Sequence, residues 1–273
     1  MNRELSLEEV HKETLNVLKK IDEICEHNDI KYSIMYGTLI GYVRHNGFIP
    51  WDDDMDVCML RPEYDKFVAY CNKHEEELYP FKLMSKYTAD DYPFNLPRFC
   101  DTRFKMVKTD GLSDAGMGLF IDIYPLDALG NVKNGAKKQI EKKKTFWMQC
   151  VGCAQSKNIM GTNKSFVKRL LRFPVYLYSH VKGTKYFLDK FDMLTNSYSY
   201  EDSKYVGDLI WDNCVTYYEK EWFEDVEDII FEGVKTKIPV QTKKVLEEEY
   251  GDYMTPPPEE ERVPYHEYII YRK

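Results

Sequence analysis

The sequence predicts an α+β fold: a mixed β-sheet core with flanking helices and a helical insertion in the second half. Two patterns predict it. Through the first 132 residues, segments of helical spacing alternate with segments of period-2 or continuous apolar spacing. From 133 to 198 the pattern is mostly helical, and short strand patterns return after 201. The expected organisation is a core at 1–132, a basic helical insertion at 133–200, and a segment at 201–273 whose strands, helix and Pro-rich loop complete the same domain. A chain of 273 residues suffices for one large domain or two small ones.

The elements follow in order. Ser6 and Glu9 form a capping box, and Val10, Leu15, Val17, Leu18, Ile21 and Ile24 keep roughly helical spacing, which predicts a helix over 7–27. "KYSIMYG" reads as a strand ending at Gly37, and "TLIGYVRHNG" as a short helix closed by Gly47. "DMDVCML" alternates with period 2 and reads as a strand. "RPEYDKFVAYCNKHEEEL" has Pro at a first helical position and reads as a helix. "FKLMS", "RFCDTRFKMV" and "GLFIDIYPLD" read as three further strands. The helical region 133–198 is expected to break near Gly161 and Pro174. Short strands are expected around 205–210 and 229–238, then a helix "QTKKVLEEEYG" ending at Gly251 and a Pro-rich loop "DYMTPPPEEERVP".

Composition and charge narrow the function classes. No apolar run reaches the roughly 18 residues a membrane span needs. The acidic, amphipathic N-terminus is unlike a signal peptide, so a cytoplasmic location is expected. Seven cysteines, odd in number and scattered, read as reduced thiols. Cys150 and Cys153 have no second pair at zinc-site spacing and read as small buried residues on a helix. The net charge of −8 is uneven: fourteen Lys or Arg against two acids make 133–190 a segment of +12, which leaves −20 for the rest. Such a segment is either a solvated helical face or a surface for anionic lipid or an anionic polymer. It carries no nucleic-acid-binding motif, and no nucleic-acid partner is expected.

Four aspartates within "WDDDMD" raise the question of chemistry. Asp54 and Asp56 are two apart on a strand, so their side chains share a face. Two carboxylates on one face repel unless a cation lies between them, and Mg²⁺ or Mn²⁺ takes oxygen ligands. Asp122, between Ile121 and Ile123, sits inside an apolar strand, where an unpaired carboxylate costs several kcal/mol. A metal shared by Asp54, Asp56 and Asp122 resolves both problems. Asp52 and Asp53 fit a turn or N-cap cluster equally well, which leaves Asp53 a weaker candidate. The Gly37-Thr38 pair at the start of a helix offers free N–H groups and close backbone approach to a phosphate.

A strand, a Gly-Thr turn, a helix, then Asp-x-Asp on the next strand and an Asp on a later one resembles the layout of the nucleotidyltransferase superfamily. The gap of 15 residues from Thr38 to Asp54 is longer than usual there. "YGTLIGYVRHNGFIPWDDDMDVCMLRPEYDKF", "GLFIDIYPLDAL" and "YGDYMTPPPEEERVPYH" together resemble the LicD family, which includes fukutin-type transferases. The family often has paired histidines near the end, whereas Tyr265 here precedes a single His266.

The resemblance implies a nucleotidyltransferase-like catalytic core, and transfer of a phospho-alcohol from a CDP-linked donor with release of CMP. Phosphocholine from CDP-choline is the favoured case, and fukutin-type relatives move ribitol phosphate. The implied acceptor is a hydroxyl of a cell-surface glycan such as lipopolysaccharide or teichoic acid, or its lipid-linked precursor. The implied location is cytoplasmic, with 133–190 a candidate peripheral contact at the inner face of the membrane. Asp54, Asp56 and Asp122 are the expected catalytic and metal residues; Gly37, Thr38, Arg44 and Trp51 are expected around the nucleotide or phosphate. His45, Arg98, Arg103 and His266 are weaker candidates. Trp211, Tyr217 and Tyr218 are candidates for an aromatic cage around choline's quaternary ammonium. Two other classes stand beside this one: a nucleotidyltransferase that acts on a small molecule or protein and expels pyrophosphate, and an inert binding protein on the same fold, against which the intact acid trio argues.

Overall fold

The structure is a computed structural model that describes residues 3–88, 92–108, 114–156, 166–211, 214–264 and 268–273, the side chains of 166–169 and 171 excepted. Helices and mixed sheets make an α+β fold. β1 (Arg3–Glu4) leads into α1 (Leu7–His27), whose start is set by the capping box: Glu9 N–H donates to Ser6 Oγ at 3.3 Å and Ser6 N–H to the Glu9 carboxylate at 3.0 Å. β2 (Ser33–Ile34) is shorter than its sequence suggests, because Tyr36 takes a left-handed φ of 48° and turns the chain at once into α2 (Tyr36–His45). Gly37 therefore sits in the first helical turn and does not end the strand. Asn46, with φ 57°, closes α2 one residue before the expected Gly47; Asn tolerates this conformation because its short polar side chain bonds locally.

β3 (Asp56–Leu60) and α3 (Arg61–Lys73) follow, then β4 (Phe81–Met84). The single strand expected from "RFCDTRFKMV" is two, β5 (Arg98–Asp101) and β6 (Phe104–Lys108). Asp101 splits them by accepting the Arg103 N–H at 3.0 Å, an Asx-type turn inside a run of strand-forming residues. β7 (Leu119–Gly130) is long and buried throughout. Next come α4 (Lys137–Gln155), α5 (Phe166–Lys182) and α6 (Thr184–Thr195). Pro174 lies inside α5 without ending it: it is on the exposed face, where water can satisfy the carbonyl one turn back. The break falls at Gly183, whose φ is 78°. The break expected near Gly161 lies outside the described residues. β8 (Tyr205–Asp208) and β9 (Tyr218–Glu219) precede a hairpin of β10 (Val226–Phe231) and β11 (Val234–Pro239). Glu232 and Gly233 both have positive φ, as a two-residue type I′ turn requires. α7 (Thr242–Tyr250) and β12 (Tyr268–Arg272) complete the chain.

The main sheet runs β2-β3-β7-β5-β4, with β8 on β7 and β9 on β8. Among the described residues, only the β3–β7 pair within it is parallel. Burial drives this assembly: Val17, Leu18 and Ile21 of α1 pack with Val57, Phe67, Phe99, Ile121 and Ile123, and each such side chain contributes about 1.5–3 kcal/mol. A second sheet, β1-β12-β6, ties the two ends of the chain together. No helix among the described residues is long and apolar enough to cross a membrane.

α2 carries the Gly37 turn, and its closure rests on Asn46. Asn46→Val should lower unfolding free energy by about 1–2 kcal/mol in urea titrations, whereas Asn46→Gly should be near neutral. Equal losses for both would show that the left-handed cap is not what closes the helix.

Candidate functional site

Register places three charges in one row across the sheet. Asp56 of β3 is paired with Asp122 of β7, and Asp122 with Arg98 of β5. Cross-strand partners point to the same face. Asp54, two residues before Asp56, joins them: Asp54, Asp56 and Asp122 each offer a carboxylate oxygen, all within 4.8 Å of one another. Burial, then the neighbouring Asp54, Asp122 and Asp52 charges, push the Asp56 carboxyl well above the usual carboxylate range. Its Oδ1 is buried and has no hydrogen-bond partner. An acceptor oxygen left this way, in a set of hard oxygen donors, fits a divalent cation. Arg98 Nε donates to Asp122 Oδ1 at 2.7 Å, and its guanidinium lies 4.5 Å from the Phe94 ring and 4.0 Å from the Phe120 ring. Arg98 thus fixes Asp122 and offsets one charge from a buried position; it does not line the cavity.

The backbone around the trio is fastened from several elements. Asp56 N–H donates to Thr38 Oγ1 at 2.9 Å, Met35 N–H to Asp56 O at 3.0 Å, and Asp122 N–H to Met55 O at 3.1 Å. Thr38 is buried, so its hydroxyl positions Asp56. His11 of α1, stacked on Phe48 at 3.9 Å, bonds Asp52 O through Nε2 at 2.6 Å, and Tyr268 of β12 donates to Asp53 O at 3.2 Å. A Cβ on Gly37 would fall 2.6 Å from Asp52 Oδ2, so glycine is what admits the Asp52 carboxylate there.

The trio opens into a cavity of about 510 Å³. Its lining holds six carboxylates (Asp52, Asp54, Asp56, Asp122, Asp208 and Glu249) and, among the described residues, no lysine, arginine or histidine. Tyr36, Tyr124, Trp211, Tyr218 and Tyr250 supply aromatic wall, and Gly37 and Met148 also face it. The fully buried Lys144 of α4 stands behind this lining. Its Nζ donates to Asp208 O at 3.0 Å and Cys214 O at 3.2 Å, which fixes the chain that follows β8. Asp208 Oδ1 accepts the Ile210 N–H at 2.8 Å, and Tyr218 OH donates to the Glu249 carboxylate.

The other expected residues divide. Trp211 and Tyr218 reach the cavity, whereas Tyr217 is buried in a separate apolar cluster with Leu129 and Ile140. Arg44, His45 and Trp51 contact one another and are not among the cavity lining; Arg44 and Trp51 meet the Pro-rich segment. Arg44 Nη1 donates to Tyr253 O at 3.0 Å and its Nε to His45 Nε2 at 3.0 Å; Arg262 lies 5.5 Å from the Trp51 ring. Asp53 clusters with Asp52 and Asp54, and Arg103 is bound by Asp101 at the other end of β5. His266 lies outside the described residues. Cys150 and Cys153 are buried free thiols. Sequence reading missed His11, Lys144, Asp208, Glu249, Tyr250 and Tyr268; nothing in local spacing marks them, since each reaches the site only through the tertiary fold.

Carboxylates on adjacent parallel strands, beside the first turn of a helix that follows a short strand, have the layout that resembles the nucleotidyltransferase superfamily. The model of the LicD/FKTN/FKRP nucleotidyltransferase domain matches residues 29–174, more than half of the chain, and the chain belongs to the LicD family. It is a phosphotransferase of that family. Over 269 residues, 97% of each chain, it is 29% identical to the lipopolysaccharide cholinephosphotransferase LicD of Haemophilus influenzae. An uncharacterized protein of Rickettsia prowazekii is 32% identical over 82 residues, 30% of this chain and 26% of its own.

The raised Asp56 carboxyl makes stability depend on pH. A carboxyl whose folded-state pKa exceeds its unfolded value favours folding less as pH rises above the unfolded value. The metal-free protein should therefore lose Tm through this group as pH rises above the ordinary aspartate range. Asp56→Asn should flatten that slope and raise Tm at pH 8. An unchanged slope in calorimetry would show that Asp56 carries no such strain.

Proposed function

We propose that this protein transfers phosphocholine from CDP-choline to a hydroxyl of lipopolysaccharide, or of another surface glycan or its lipid-linked precursor, and releases CMP. The observation that carries this reading is the character of the cavity. An acid trio with an unpartnered Asp56 oxygen shares one space with an aromatic, carboxylate-rich wall that has, among the described residues, no basic side chain. A diphosphate entering it meets no Lys or Arg of the described lining. Asp54, Asp56 and Asp122 would hold Mg²⁺ or Mn²⁺, which when bound supplies charge neutralisation at the donor's diphosphate. The same wall suits a permanent cation. A quaternary ammonium binds aromatic faces, and Trp211, Tyr218 and Tyr250 stand there with Asp208 and Glu249. A neutral polyol such as ribitol gains nothing from that field. That the Haemophilus influenzae relative is a lipopolysaccharide cholinephosphotransferase agrees with this choice.

In the reaction so described, the acceptor hydroxyl attacks the distal phosphorus, the P–O bond to CMP breaks, and the chain's residues position the groups. Thr38 and Arg98 hold Asp56 and Asp122 in place. Tyr218 orients Glu249.

Incubation with Mn²⁺ or Mg²⁺, lipopolysaccharide and a panel of CDP-choline, CDP-ribitol and CDP-glycerol tests this. CMP and a phosphocholine-bearing glycan are expected from CDP-choline; pyrophosphate release from a nucleoside triphosphate would instead identify a nucleotidyltransferase. Asp54→Asn, Asp56→Asn and Asp122→Asn should each lower turnover by about 10³-fold or more and leave the circular dichroism spectrum intact. Near-normal turnover in the Asp122 variant would exclude it from the metal set. Glu249→Gln should raise KM for CDP-choline about tenfold and leave KM for CDP-ribitol nearly unchanged; equal effects on both donors would remove the ammonium from this wall.

A further inference from the structure

α5 presents its apolar side to water. Leu170, Phe173, Pro174, Leu177, Tyr178 and Val181 recur at helical spacing, one stripe along the helix, and all are exposed. Leu170 is 64% exposed and Val181 83%, values far above those of core-facing helical residues. The opposite face is the one that packs inward: Ser179 is buried, and Arg172 Nε reaches Cys153 Sγ of α4 at 3.3 Å. This inverts the usual orientation of an amphipathic helix on a globular protein. Six large exposed residues in one row form a patch of the kind that marks an interaction surface. The helix runs on through Pro174, where the sequence predicts a break, and so extends the face to Val181.

Charge decides what covers it. Lys182 and His180 are exposed beside the stripe, and Lys185 follows on α6 with its side chain 66% exposed. The whole segment 133–190 is +12 in a chain of −8. A dimer through this face would set two such segments against each other. A planar anionic surface complements both the stripe and its basic rim, and an amphipathic helix lies in such an interface without crossing it. We propose that α5 docks this protein on an anionic lipid bilayer, with Leu170, Phe173, Leu177 and Val181 inserted and Lys182 and Lys185 at the headgroups. The docking stands apart from which CDP-alcohol is the donor, because none of these residues lines the cavity.

Sedimentation of the full chain with vesicles tests it. Binding is expected to phosphatidylglycerol-containing vesicles, not to pure phosphatidylcholine, and should fade as salt rises. Leu177→Ser with Val181→Ser, both at exposed positions, should lower partitioning about tenfold or more with an unchanged Tm. Lys182→Gln with Lys185→Gln should lower it about fivefold per charge. Absent binding, equal binding to both vesicle types, or wild-type binding by the Leu177/Val181 variant would overturn the proposal. So would a monomer–dimer equilibrium abolished by Leu177→Ser, since a second copy would then own the face.

Discussion

Like charge held close at the β3–β7 junction is the constraint around which the structure is arranged. Asp56 and Asp122 are paired across parallel strands and Asp54 stands beside them, with carboxylate oxygens within 4.8 Å. Two unit charges at that distance repel by about 3 kcal/mol in a partly polar interior. That exceeds what most single hydrogen bonds contribute. The carboxylates stay together because the backbone gives them no alternative. β7 is buried along its length, Thr38 holds the Asp56 amide, and Arg98 clasps Asp122 from between two aromatic rings. The repulsion is therefore stored by the fold and available to a cation.

The loop before β3 shows how much of the chain is committed to this arrangement. Its carbonyls are held by His11, near the N-terminus, and by Tyr268, near the C-terminus. The sheet β1-β12-β6 joins those two ends. The Pro-rich segment between α7 and β12 rests on Arg44 and Trp51 through Tyr253 and Arg262. Arg44 and Trp51 thus act by fixing that segment, and His45 supports both of them.

Local chemistry was legible in the sequence wherever it is written locally. The capping box at Ser6, the period-2 spacing of Asp54 and Asp56, and Asp122 inside an apolar strand each have a cause within a few residues, and each was read from it. The boundaries that differ have causes farther away or weaker than spacing. Tyr36 takes a left-handed turn that no propensity marks, Asp101 splits one strand pattern by an Asx turn, and Pro174 is tolerated because its face is exposed. Arg98 reads from sequence as a phosphate contact, because a basic residue near acids has two partners to choose between. Register with Asp122 decides for the carboxylate. The wall of Asp208, Glu249 and Tyr250 comes from the region after 200, brought to the trio only by β8 pairing with β7 and α7 packing nearby.

The charge of the chain is sorted in space as it is in sequence. Acidic residues line the cavity, while the basic excess lies in 133–190. α4 joins the two regions. Its Met148 faces the cavity, its Lys144 is buried behind Asp208, and its far side carries α5 with the exposed apolar stripe. A single helix thus separates an interior that attracts cations from an outer surface that attracts anions. Arg98 and Lys144 pair two of the six lining carboxylates, and the others, gathered in a confined space, favour a cation there.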